Sequence, residues 1–163
     1  MKKEELKDIM EDMLETAKTI LEKDGKLIPI AFMNHNDNFD IVPLSFSDND
    51  EKNRQLSALR ILVKKENADA VFVVTESWYV STNNVPLAME PSKDPTRKEC
   101  IIMIGECGGG NITIIQLFDR EDGKENGKII FGQKLDMEDT ISTKFNFGIK
   151  DRKRQDKRLR NLS

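Results

Sequence analysis

The sequence predicts an α+β fold: a twisted, mostly antiparallel sheet of five or six strands with two helices packed on it, in the order α-β-β-α-β-β-β-β. Two stretches place apolar residues at three- and four-residue steps, the period of a helix that buries one face. Six shorter apolar runs are separated by Gly, Pro, Asn and Asp signals, and sequential runs of this kind pair as hairpins. At 163 residues the chain suits one domain. A domain of that size buries roughly 65–70% of its unfolded surface, enough for a core without metal or disulfide.

The first helix is read from Leu6, Ile9, Met10, Met13, Leu14, Ala17, Ile20 and Leu21, with Gly25 as its stop. Residues 26–33 and 39–46 read as a hairpin around the turn at 34–38. Pro29 and Pro43 in its strands would blunt an exposed edge. Residues 47–51 carry several helix-capping side chains and early acids. The apolar face of Leu56, Ala58, Leu59, Leu62 and Val63 then runs to about Asn67.

Residues 68–80 form the next strand. Val71 and Val73 point to one face, while Ala70, Phe72 and Val74 point to the other, so this strand is expected to be covered on both sides. Residues 81–96 contain three prolines and no period, a long loop of the functional or mobile kind. Strands follow at 97–107, 112–118 and 128–135, joined by Gly108-Gly109-Gly110-Asn111 and by the Asp122-Gly123 and Asn126-Gly127 turn signals. A weaker alternation with Phe145 and Phe147 suggests a last strand at 141–149. Residues 1–149 are expected to be one α+β domain, and 150–163 a poorly ordered basic tail.

Composition narrows the chemistry. Aromatic residues are only 6%, against a base-stacking platform for nucleic acid, and a single His with two Cys nearly excludes a Cys/His zinc site. No apolar run approaches the ~20 residues that span a bilayer, so no membrane role is expected. The N-terminal residues lack the apolar core of a signal peptide, which places the protein in the cytoplasm with reduced thiols. Cys100 and Cys107 have no CxxC spacing and are read as packing residues. No cofactor is called for. The glycine run at 108–110 lacks the Lys-Ser/Thr of a phosphate loop and precedes a strand, so it is read as a hairpin turn. Ser77, Ser81 and Ser92 lack a nucleophile elbow. His35, in an Asn/Asp-rich turn, is expected to be exposed.

Charge is uneven. From Lys150 to Arg160 there are seven Lys/Arg against two Asp, whereas residues 1–149 hold nineteen basic and twenty-seven acidic residues. The tail can contact nucleic acid electrostatically, pair with the acidic body, or stay solvated.

Glu76 is the most unusual residue. It shares a face with Phe72 and Val74, so the strand points a carboxylate toward an apolar side. Burial there would raise its pKa and suit a general acid or base, or a ligand for a hard cation. The structural alternative is an ion pair with Arg97 or a cap on the long loop. Downstream, Pro91, Ser92, Asp94 and Pro95 make a rigid turn leading to Arg97 and Glu99. Glu76-Ser77-Trp78 followed by Pro91-Ser92-x-Asp94-Pro95-x-Arg97-x-Glu99 resembles a group of small uncharacterised bacterial, archaeal and phage proteins, over about 25 residues. The resemblance implies that these residues form one local unit, and it implies no activity. At the level of fold alone, the element order also resembles roadblock or profilin-like regulatory scaffolds.

Three functions follow as expectations. The leading one is a non-enzymatic interaction or adaptor protein, plausibly a homodimer, contacting its protein partner through Trp78 with Ser92 and Asp94 nearby. A metal-assisted hydrolase or nuclease would use Glu76, Asp94 and Glu99 as carboxylates and Arg97 to stabilise an anion. Nucleic-acid binding through the tail is the third.

Overall fold

Leu6, Met10, Leu14, Ala17 and Leu21 are all buried, and they line one side of α1, Lys3–Asp24. Gly25 ends the helix in the left-handed region (φ 74°), with its N–H on the Leu21 carbonyl at 2.8 Å. This computed structural model describes residues 1–80, 96–139 and 147–149. The sheet contains β1 (Ile30–His35), β2 (Asn38–Pro43), β3 (Ala70–Tyr79), β4 (Lys98–Cys107), β5 (Gly110–Arg120) and β6 (Ile129–Glu138), with α2 (Asn49–Lys65) between β2 and β3. All neighbouring strands are antiparallel, in the order β2-β1-β3-β4-β5-β6. The α+β fold and its element order are those the sequence predicts. No helix among the described residues is long and apolar enough to cross a membrane.

The helices cover opposite faces. α1 packs on Phe72, Val74, Ile101, Met103, Ile112 and Ile114, and α2 packs Leu56, Leu59 and Val63 on Ala31, Met33, Val71 and Val73. β3 is therefore buried on both sides, and its two apolar registers are read by different helices. Asp48 caps α2 by accepting the Glu51 N–H at 2.7 Å. Salt bridges from Lys7 to Asp136 and from Lys134 to Glu11 join the polar flank of α1 to β6.

Several boundaries differ from the sequence reading. β1 starts at Ile30 rather than at residue 26. Pro29 has no N–H for a ladder, and its carbonyl accepts the Leu44 N–H at 2.9 Å. β2 ends at Pro43, short of Phe46, while β5 and β6 run on to Arg120 and Glu138. Of the strand predicted at 141–149, only 147–149 are described, and they are irregular. The N–H groups of Phe147 and Ile149 donate to the Glu106 carboxylate at 2.7 and 2.8 Å, which seats buried Phe147 beneath α2. The loop at 81–95 and the tail at 150–163 lie outside the described residues.

Ile30 is paired with Val74, so β3 outruns β1. Thr75 to Tyr79 pair with β4 on one side, and among the described residues no strand pairs with them on the other.

Gly105 on β4 sets how closely α1 can approach. A Cβ there would lie 2.5 Å from the Met10 sulfur and 3.2 Å from Phe72 Cβ. Met10 can swing away from a methyl group, but a branched side chain would also crowd the β3 backbone neighbour. Gly105→Val is therefore expected to lower unfolding free energy by about 2 kcal/mol in a denaturant titration, the usual cost of overpacking; an unchanged midpoint would show that α1 is not tightly seated.

Candidate functional site

The unpaired end of β3 opens into a cleft of about 680 Å³. One wall is Leu27 and Pro29, ahead of β1; the other is Phe46, Ser47, Asp48, Asn49 and Lys52, where the chain enters α2. The floor is Thr75, Glu76, Ser77 and Trp78, with Glu99 and Phe118 behind. The cleft lies where Pro29 turns the chain away from β3 toward Leu44.

Period-two alternation puts Glu76 and Trp78 on the α1 face, beyond Val74. Glu99 sits across from Trp78, and Phe118 across from Glu99. Arg120 follows on the same face of β5. Its Nε donates to both oxygens of Glu99 at 3.0 and 3.3 Å, its Nη1 to the Glu125 carbonyl at 3.0 Å, and its Nη2 to Glu76 at 3.4 Å. The guanidinium also lies 5.5 Å from the centre of the Phe118 ring. Arg120 is 11% exposed and each glutamate 30%, so the cation is the buried member of the cluster.

Burial pushes the Glu76 carboxyl above its ordinary value, and the nearby Glu99 charge adds to the rise. The Leu27 backbone N–H and the Arg120 charge act the other way without cancelling the loss of water. The Thr75 hydroxyl donates to the Glu76 carbonyl at 3.2 Å.

Glu76, Trp78 and Glu99 are thus brought together at one end of the sheet. The expected Glu76–Arg97 pair is replaced by Glu76–Arg120, and the Arg97 guanidinium lies 4.4 Å over the Trp78 ring. Arg97 lies on the same face as Glu99, just beyond the last ladder pair Tyr79–Lys98, and its guanidinium stacks on Trp78 rather than pairing with Glu76. Trp78 remains 40% exposed. Ser92 and Asp94 lie outside the described residues, so the three-carboxylate set is described only at Glu76 and Glu99. Among the described residues no group of three or more His, Cys, Asp or Glu is placed to hold a metal ion.

His35 ends β1 beside the Ala70 end of β3, away from Glu76. It is half-buried rather than exposed, with its Nδ1 buried and unpartnered. The hairpin closes over it because the turn shrinks to Asn36 and Asp37, both at positive φ. Cys100 and Cys107 are buried, and burial pushes the Cys100 thiol up to about 12, the behaviour of an inert packing residue. Gly108 and Gly109 make the β4–β5 turn, with Gly110 at φ 134°.

Sequence reasoning missed Arg120 and the α2 entry at 46–52. A signal for Arg120 existed: it shares the core-facing register of Phe118, and a cation there requires a carboxylate on a neighbouring strand. The α2 entry left no such signal, since only folding brings it beside β3.

A family model described as bacteriophage lambda protein ea47 matches residues 1–147. That match includes the whole Glu76–Glu99 region and agrees with the phage part of the resemblance noted above. No curated protein and no solved structure matches.

Two outcomes follow from the cluster. Glu76 binds its proton more tightly when folded, so the native state holds more protons than the unfolded chain just above the ordinary carboxylate pKa, and stability contributed by this site falls as pH rises through that window. Between about pH 4 and pH 7, the melting temperature of Glu76→Gln is expected to gain on that of the wild type; parallel curves would mean that burial does not perturb this group. Arg120→Met leaves two carboxylates facing each other, and an equilibrium unfolding titration at neutral pH is expected to show a loss of about 2 kcal/mol. Adding Glu99→Gln to that variant should return part of the loss.

Proposed function

The chain belongs to the bacteriophage lambda protein ea47 family, and from that premise we propose that it is a non-enzymatic interaction protein that receives an extended segment of a partner along the edge of β3. The observation that carries this reading is the stretch Thr75–Tyr79, which no strand among the described residues pairs on its outer side and whose residues Thr75–Trp78 line the cleft. An exposed strand edge is a template for another strand, and natural sheets usually blunt it. The outer edges here are managed: β2 is short and ends in Pro43, and the second half of β6 carries Lys134, Asp136 and Glu138. Among the described residues the end of β3 has no proline and a single charge, Glu76, which Arg120 partly neutralises. Five residues of strand span about 17 Å, the length of a short recognition segment bound by strand addition. Trp78, exposed beside this edge, supplies the aromatic anchor that such contacts favour.

The carboxylates weigh against the metal-assisted hydrolase or nuclease. Glu76 and Glu99 share Arg120, which already provides the positive charge that a divalent cation would bring. Nucleic-acid binding through the basic tail rests on residues 150–163, which are not described.

A random linear-peptide display library panned on the full chain tests the reading. Enriched peptides are expected to slow amide exchange at Thr75–Tyr79 and to bind Trp78→Ala about tenfold more weakly. Enrichment of nothing, or protection confined to β2 or β6, would remove the proposal.

A further inference from the structure

Resting on that reading, we infer that the received segment belongs to a partner protein and carries a lysine or arginine whose cation sits against Glu76. Arg120 divides its donors unequally. Nε serves Glu99 at 3.0 and 3.3 Å and Nη1 serves the Glu125 carbonyl at 3.0 Å, which leaves Glu76, beside the Leu27 N–H, a single long contact to the guanidinium at 3.4 Å. Of the described charged side chains lining the cleft, Asp48, Glu76 and Glu99 are acidic and Lys52 is basic. Lys52 lies over the Phe46 ring at 5.5 Å, on the opposite wall. Arg120 stands behind the glutamates and Arg97 lies over Trp78, so among the described residues Arg120 is the one cation paired with Glu76, at its longest contact.

Strand geometry puts the missing charge within reach. A strand added beside β3 alternates its side chains between the two faces, as β3 does. The residue opposite Glu76 then projects onto the same face, with Cβ atoms ~5 Å apart, where an opposite charge is favourable. The walls at 27–29 and 46–52 flank this edge on both sides. The space suits one extended segment rather than the folded face of a second copy. A cation at this position also meets a carboxylate already partly stripped of water, where a charged hydrogen bond is stronger than at an open surface.

Three synthetic peptides that alternate valine with lysine, with glutamine or with glutamate provide the test on the full chain. Binding is read from the fluorescence of Trp78, the sole tryptophan, and from amide exchange at Thr75–Tyr79. The lysine peptide is expected to bind about tenfold tighter than the glutamine peptide, with the glutamate peptide weakest. That preference should fall away in Glu76→Gln and persist in Glu76→Asp, which keeps the charge. Equal binding of the lysine and glutamine peptides, with the edge still protected, would overturn the cation and leave the strand-receiving reading standing. Protection by none of the three would overturn both. An undiminished lysine preference in Glu76→Gln would overturn the inference by assigning the effect to the acidity of the whole body. So would binding that appears only after the seven Lys/Arg between 150 and 160 are changed to Gln, since the chain's own basic segment would then be the occupant.

Discussion

Proline at position 29 cannot donate a backbone hydrogen bond, and its carbonyl is taken by Leu44 rather than by β3. β1 therefore stops against Val74, while β3 continues for five residues with β4 as its one strand partner among the described residues. The cleft, the open edge and the half-burial of Glu76 all follow from this early stop. Had the first strand begun four residues sooner, a ladder would cover the edge. The carboxylate of Glu76 would then face a neighbouring strand instead of the Leu27 N–H and open space.

The charge cluster is the second consequence. Toward this end the apolar register of the sheet continues in polar form: Val74 gives way to Glu76, Ile101 to Glu99, and Phe118 to Arg120. A carboxylate in this half-buried setting loses water that a single guanidinium shared with Glu99 does not fully replace. The sheet accepts this cost at one end because its other positions are satisfied by close apolar packing. α1 anchors Met10 against Gly105, and α2 holds Val71 and Val73 from the other side.

Much of the fold is legible in the sequence. The stripe from Leu6 to Leu21, the run of capping residues at 47–51 and the double-faced pattern of β3 each obey one local rule, and the elements form there, with Asp48 the capping residue. The early end of β1 was harder to read, because Ile28 and Ile30 continue an apolar run and only the hydrogen bonding of Pro29 separates them. Glu76, Trp78 and Glu99 stand out as polar or aromatic residues at the end of a strand. Their assembly at one site was legible as proximity along a hairpin. The partner of Glu76 was not, since Arg97 is closer in sequence and carries the same charge as Arg120. Arg97, beyond the ladder end on the same face as Glu76, is taken up by the Trp78 ring, and pairing with β5 delivers Arg120.

The sequence by itself determined the kinds of element, their order and the face that each one buries, because those depend on periodicity and on capping within a few residues. Tertiary structure decided which helix covers which face, where β1 leaves β3 uncovered, and that Phe46 to Lys52 forms the wall opposite Leu27. These outcomes depend on contacts between segments distant along the chain. Their free energies come from mutual burial and charge pairing, which no local pattern encodes.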